Sequence, residues 1–266
     1  MTTRIILAGP RGRMGSEAIK MIQATKEFSL IACLDREATA ANESKINEIA
    51  GENIPLYEQT DVCFQETEAD VFIDLTVPDA GYIHTKEALS HGIAAVVGTS
   101  GFSDKQLEEL SQLATKQQTG CIIAPNFALG AVLMMHFSKM AAKYFPDVEI
   151  IEKHHDQKLD APSGTAKKTV EVIKENRAKK MQGHPHEYES EKGARGANMD
   201  GIHLHSMRLP GLVAHQEVVF GSNAELLTIK HDSFHRESFM QGLKLAVEKV
   251  LDTDGLVYGL EHVMEL

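Results

Sequence analysis

"ILAGPRGRMGSEAIK" (residues 6–20) joins an apolar run, a glycine-rich turn and an amphipathic segment. The apolar run starts at Arg4 and stops at Gly9, so it reads as a short strand over 4–9. Ala18, Ile19, Ile22 and Ala24 recur at near-helical spacing and predict a helix over 16–27. Each glycine of the turn has a separate reason to be there. Gly9 permits a tight exit from the strand, Gly12 lets the backbone approach a pyrophosphate, and Gly15 lets the helix pack closely on the strand. Unpaired amides and the positive dipole end at the helix start then favour phosphate. The spacing is G-x-x-G-x-x-G, not the commoner G-x-G-x-x-G, and a turn with no ligand could share it. Its position at the head of the first strand–helix–strand unit is the context a dinucleotide site requires.

Working outward, the same alternation continues for about 125 residues. "FSLIACLD" (28–35), "ADVFIDLT" (69–76), "AAVVGT" (94–99) and "GCIIAP" (120–125) read as strands. Segments 83–92 and 103–117 read as helices, the second capped by Ser103. Strands alternating with helices imply an α/β fold, a Rossmann-type parallel sheet covered on both faces. Beyond residue 127 the rhythm changes. A Met-rich buried helix (130–145), a strand (147–155) and a helix (about 164–180) precede a polar, aperiodic loop (181–201). Three alternating runs over 202–233 then read as antiparallel strands, and a final helix is expected over 238–251. These features predict a nucleotide-binding domain over 1–127 and a second α+β domain over 128–233 with a mixed or antiparallel sheet. The C-terminal helices, 234–266, are expected to pack back on the first domain.

Asp35 ends the second strand about 20 residues after the glycines, where a carboxylate can accept both ribose hydroxyls of NAD. Arg36 beside it and Arg13 in the turn could instead neutralise the 2′-phosphate of NADP, or be solvated surface charges. Both NADH and NADPH therefore fit. Gly98, Thr99 and Ser100, and the turn Ala124, Pro125, Asn126 and Phe127, follow two further strands, at the sheet end where ligands bind.

The net charge of −11 argues against a nucleic-acid partner and makes a local basic cluster conspicuous. That cluster is "EKHHDQKLDAPSGTA" (152–166). On a strand His154, Asp156 and Lys158 share a face, and on a helix His154 and Lys158 do. Pro162 stops extension and Ser163 is placed to cap a helix beginning with Gly164 and Thr165. Histidines, a lysine and helix-start amides together suit a small polycarboxylate. Metal binding is disfavoured, because adjacent histidines on a strand face apart and no cysteine or H-x-x-x-H spacing supports them. Cys33, Cys63 and Cys121 form no metal spacing and fit a reducing compartment. The N-terminal apolar run is too short for a signal sequence or a membrane span, so a cytoplasmic location is expected.

With these segments in view, the chain resembles the 4-hydroxy-tetrahydrodipicolinate reductase (dihydrodipicolinate reductase) family of bacterial lysine and diaminopimelate synthesis. The resemblance rests on "AGPRGRMG", "DLTVP", "VVGTSGF", "APNFALG", "EIIEKHHDQKLDAPSGTA" and "RLPGLVAHQEVVFG", in that order from residue 8 to about 220. The last of these looks like the version in Gram-positive members. The resemblance implies an oxidoreductase in which NADH or NADPH reduces a cyclic dicarboxylate with loss of water. It also implies a homotetramer assembled through the second domain's sheet. The two domains are expected to close over a cleft, since the glycine turn lies before residue 128 and the acid cluster after 150. By the same resemblance, His154 is a proton donor or acceptor and Lys158 a second acid. His155, Gly164 and Thr165 bind substrate carboxylates. Gly9, Pro10, Arg11, Gly12, Arg13 and Met14 contact the cofactor, with Asp35 and Arg36, Gly98 to Ser100 and Ala124 to Phe127. Ser100 stands where many members have threonine, which keeps the hydroxyl.

Overall fold

The computed structural model describes residues 2–266. Its contacts divide the chain into two units. One holds the chain up to Phe127 together with Phe239–Leu266, and the other is Ala128–Ser238.

In chain order the first unit contains β1 (Thr3–Ala8), α1 (Arg13–Ala24), β2 (Phe28–Leu34), α2 (Ala40–Ala50), β3 (Leu56–Tyr57), α3 (Thr60–Glu66), β4 (Val71–Asp74), α4 (Pro78–Ser90), β5 (Ala94–Val97), α5 (Asp104–Gln117) and β6 (Cys121–Ile123). The second contains α6 (Leu129–Ala141), β7 (Asp147–His154), α7 (Gly164–Asn176), β8 (Ala197–Met199), β9 (Ile202–Arg208), β10 (Ala214–Ser222) and β11 (Glu225–Ser233). The chain then returns to the first unit with α8 (Met240–Val250), β12 (Leu256–Tyr258) and α9 (Leu260–Val263).

The first unit is a seven-stranded sheet ordered β12-β6-β5-β4-β1-β2-β3, with every pair parallel. This is the Rossmann arrangement extended by one strand. Strand order reverses between β1 and β4, the switch point at which such sheets receive ligands. β4 and β5 are buried along their whole length, as strands covered on both faces must be. On one side Ile6, Ala8 and Phe72 pack with Cys63 and Phe64 from α3 and Ala88 from α4.

The second unit is a five-stranded mixed sheet ordered β11-β10-β7-β9-β8, in which only β7 and β9 run parallel. Val148, Ile150, Leu204, Val218 and Phe220 project from it onto Met134 of α6 and Val170 and Ile173 of α7. Among the described residues, no helix is long and apolar enough to cross a membrane.

Several expectations need correction. The first helix starts at Arg13, not residue 16, because Gly12 is extended (φ −68°, ψ 160°) and serves as N-cap inside the glycine turn. The helix ends at Ala24, which leaves Ala24 exposed. The segment between β2 and β4 holds α2, β3 and α3, whose few apolar positions gave little periodic signal. β9 and β10 are not neighbours, since β7 lies between them; β10 forms its hairpin with β11, and β9 forms one with β8. The 181–201 loop contains β8. It is also tied down by buried Arg177, which donates to the carbonyls of Pro146 (2.8 Å) and Asp200 (2.9 Å) and ends α7 four residues before the expected position. After the last long helix, β12 adds an edge strand beside β6.

Candidate active site

In the first unit, the carboxyl ends of β2, β1, β4, β5 and β6 form one row. Gly9 has φ +79°, which L side chains rarely adopt, and it follows β1 directly. A Cβ at Gly15 would overlap the Gly9 carbonyl oxygen and lie 2.8 Å from Pro10 Cα. The turn is thus folded onto the first turn of α1 so tightly that only hydrogen fits. Gly12, the N-cap, has no side chain, so first-turn amides of α1 have no side-chain acceptor there.

At the end of β2, Asp35 is buried, and Arg11 from the glycine turn clamps it. Arg11 Nε lies 3.0 Å from Asp35 Oδ2 and its terminal nitrogen 2.6 Å from Oδ1, while its other terminal nitrogen reaches Glu37 at 3.1 Å. Hydrogen bonding to Asp35 raises the Arg11 pKa further above its ordinary value. Arg36 is exposed and only approaches Glu37, at 3.9 Å. Arg13 is also exposed. The cation at the end of β2 is therefore Arg11, a residue the sequence placed in the turn without pairing it to Asp35.

At the end of β4, Asp74 is fully buried. It accepts from Thr76 Oγ1 (2.8 Å), Thr99 Oγ1 (2.8 Å) and the Thr76 amide (3.1 Å), and His84 Nδ1 lies 2.9 Å away. One carboxylate thus holds the turn after β4, the turn after β5 and the middle of α4. Gly98 is confined similarly: a Cβ there would sit 2.7 Å from Leu75 Cδ2 and 2.8 Å from Phe127 Cε2. Ser100 and Pro125 are exposed, whereas Ala124 and Phe127 are buried. The predicted residues of all four turns do share one end of the sheet.

In the second unit, β7 ends at His154 and the chain turns at once, with the Lys158 amide donating to the His155 carbonyl at 3.2 Å. Neither the strand period nor the helix period therefore governs the His154–Lys158 relation, contrary to expectation. The two side chains meet different carboxylates. His154 Nδ1 is 2.6 Å from Glu152 Oε2, and Lys158 Nζ donates to Asp160 Oδ1 at 2.6 Å. Both are only partly exposed. His155 is half-buried on the same turn. Ser163 caps α7 as expected, accepting from the Ala166 amide at 3.2 Å. Gly164 is the first helical residue, and a Cβ there would meet nothing within 4 Å. Thr165 follows it on the first turn of α7.

Sequence reasoning assigned no role to Glu152 or Arg208. Glu152 lies two residues before His154 on the same face of β7, so the two-residue strand period was a usable signal. Arg208 gave no local signal, because β9 joins β7 from 56 positions away. Burial alone would raise the Glu152 pKa, but hydrogen bonds from His154, Arg208 and Ser206 outweigh it and hold the group down to about 2. A carboxylate depressed in the fold contributes stability above its ordinary value of 4.5 and loses it as pH falls towards about 2. Acid titration followed by circular dichroism is expected to show stability falling across that window, and Glu152→Gln is expected to reduce the fall.

Among the described residues, no group of three or more His, Cys, Asp or Glu side chains is arranged to hold a metal ion.

Residues 3–127 match the family model described as dihydrodipicolinate reductase, N-terminus, and residues 130–264 the one described as dihydrodipicolinate reductase, C-terminus. A 4-hydroxy-tetrahydrodipicolinate reductase of Oceanobacillus iheyensis is 58% identical over 265 residues, covering 99% of this chain and 100% of that protein. The enzyme of the same name from Geobacillus kaustophilus is also 58% identical, with 100% of both chains covered. A solved structure of dipicolinate-bound dihydrodipicolinate reductase from Paenisporosarcina sp. TG-14 superposes with a TM-score of 0.88 at 45% identity. The match covers 98% of this chain and 99% of that one. With family models spanning nearly its whole length and full-length relatives above half identity, the chain belongs to the dihydrodipicolinate reductase family.

Proposed function

We propose that this chain reduces 4-hydroxy-tetrahydrodipicolinate to tetrahydrodipicolinate with loss of water, at the expense of NADH or NADPH, in bacterial lysine and diaminopimelate synthesis. The observation that carries the reading is a histidine backed by a buried carboxylate, beside a lysine-bearing turn and a capped helix start. It stands in a family with a member solved bound to dipicolinate, itself a cyclic dicarboxylate.

The first unit holds the nucleotide. Gly9, Pro10, Arg11, Gly12, Arg13 and Met14 cradle the pyrophosphate, and Gly98 to Ser100 with Ala124 to Phe127 line the nicotinamide side. The glycine cradle supports this fit, because it has no room for a Cβ at Gly15. Asp35 receives the ribose hydroxyls, and Arg11 and Arg36 supply positive charge for a 2′-phosphate, so both nucleotides are accepted. When bound, the cofactor supplies the hydride.

The second unit binds the substrate and takes part in assembly. His155, Lys158 and the α7 start at Gly164 and Thr165 hold the ring carboxylates, which fixes the ring and contributes the orientation term. Hydride arriving at the electron-poor ring leaves electron density spread over an enamine. Protonated His154 gives its proton to the enamine carbon, and the N–H bonding pair returns to the imidazole. Lys158 offsets the negative charge during transfer and is the second acid. The balance is one hydride and one proton gained and one water lost. The working form is a cytoplasmic homotetramer joined through the β7–β11 sheet.

The test is substrate-dependent oxidation of NADH and of NADPH, measured in parallel with substrate generated by the synthase that makes it. Comparable kcat/KM for the two nucleotides is the expected result. Tight nucleotide binding with no substrate-dependent oxidation would instead mark a nucleotide-sensing protein and overturn the reading.

A further inference from the structure

Glu152 has no exposed surface, yet donors from three parts of the chain converge on it, Ser206 of β9 among them. Its Oε2 takes His154 Nδ1 (2.6 Å) and one Arg208 terminal nitrogen (2.9 Å). Its Oε1 takes the other Arg208 nitrogen (2.7 Å) and the Ser163 amide (3.2 Å). The same Arg208 nitrogen also donates to the Asp160 carbonyl at 2.8 Å, and the Asp160 carboxylate receives Lys158. One carboxylate–guanidinium pair therefore reaches the histidine, the lysine-bearing turn and the start of α7.

A purely structural purpose explains this poorly. Burying an ion pair carries a desolvation cost, and apolar side chains of the same volume would join β7 to β9 at least as well. Apolar side chains could not accept a hydrogen bond from an imidazole. An ionised carboxylate only accepts, so the hydrogen on the shared Nδ1···Oε2 contact belongs to the histidine. Nε2 is then the ring atom left to carry and release a proton.

We propose that Glu152, braced by Arg208, is the positioning residue of the acid. It fixes the orientation and tautomer of His154 so that Nε2 delivers the proton, and it holds the lysine-bearing turn through Arg208 and the α7 start through the Ser163 amide in register with that atom. The proposal rests on the assignment of His154 as proton donor. The groups set against the histidine are Glu152 on its own strand and Arg208 and Ala214 across the β9 and β10 ladders; the turn that follows carries Lys158 and Asp160, which pair with each other. Of the two carboxylates, Asp160 is engaged by Lys158, which leaves Glu152 as the one that accepts from the ring.

The test compares Glu152→Gln with the paired substitution Glu152→Leu/Arg208→Met, which removes both charges of the pair together and so leaves neither unpaired. Histidine ring resonances are followed by 15N NMR in the whole protein, with His154 assigned by its loss in His154→Ala. In the unaltered protein neutral His154 is expected to carry its hydrogen on Nδ1, and in the paired variant on Nε2. In both variants kcat is expected to fall about 10–100-fold, the range lost when the hydrogen-bond partner that orients a metal-ligating histidine is removed. The alkaline limb of kcat against pH is expected to move to lower pH, while the nucleotide KM stays unchanged. An unchanged tautomer and pH profile in the paired variant would overturn the proposal, even if stability falls. If the unaltered protein fails to turn over the substrate, the functional reading fails, and the tautomer still decides the positioning claim.

Discussion

His154→Ala is expected to lower kcat by about 10²–10⁴-fold, the range a positioned general acid contributes, while nucleotide affinity remains as it was. The split between these two readouts follows from the fold. His154 ends β7 in the second unit, whereas the glycine turn and Asp35 belong to the first. Lys158→Ala is expected to act on both substrate KM and kcat, because in the proposed mechanism its ammonium group would both bind a carboxylate and offset charge in the transition state. The two substitutions therefore have different signatures. Loss of a proton donor lowers kcat and kcat/KM together, and loss of a ground-state anchor raises KM first. Steady-state kinetics with saturating nucleotide, alongside calorimetric titration of the nucleotide alone, measure both. Undiminished turnover in His154→Ala would remove it as the acid. If Lys158→Ala alone abolished turnover, the proton would pass to the lysine.

The legible parts of this chain were those written in short-range pattern. The strand–glycine–helix opening was readable because its constraint is local: backbone atoms within a few residues of Gly15 exclude a side chain. Ser103 and Ser163 were readable as caps because a cap acts three residues away, and both accept the expected amide. Illegible features depended on pairing between distant segments. β10 and β9 both have the alternation of sheet strands, but nothing in either says that β7 will insert between them. Arg208 was visible only as part of a family segment, since its function is set by the β7–β9 register, which places it opposite His154. Asp74 was hidden for a related reason. Its partners Thr76 and His84 lie close in sequence, but Thr99 comes from the next strand's turn, and a buried carboxylate in an apolar run looks like an ordinary strand end.

The two carboxylates share a design that ties the two candidate regions to one physical principle. Each is fully buried at or near the end of a strand, and each organises turns that carry proposed binding residues. Turns lack the ladder hydrogen bonds that hold strands, so something else must fix them. Asp74 does so with neutral hydroxyls and a histidine. Glu152 does so with a guanidinium and a histidine. The stronger brace sits where the proposed chemistry moves a proton.

Gly15→Ala is expected to weaken nucleotide binding at least about a hundredfold, or ~2.8 kcal/mol at 1.4 kcal/mol per decade, and to lower stability by about 1–3 kcal/mol. The new methyl group would overlap the Gly9 carbonyl oxygen and lie 2.9 Å from its carbon and 2.8 Å from Pro10 Cα. All of these are backbone atoms, so no side-chain rotation can relieve the clash. Either the turn lifts off α1 or α1 slides along β1, and each movement spoils the amide array at the helix start. Gly164→Ala is the matched control, because it also alters the start of a helix but its methyl group meets nothing within 4 Å. It is expected to leave both the fold and nucleotide affinity intact. Calorimetric titration with NADH and with NADPH, together with urea unfolding, separates the outcomes. If Gly15→Ala binds nucleotide as well as the unaltered chain does, the turn is not the phosphate cradle and the nucleotide lies elsewhere on the first unit. If affinity falls while unfolding is unchanged, the turn has moved without strain on the sheet, and the cradle assignment is strengthened.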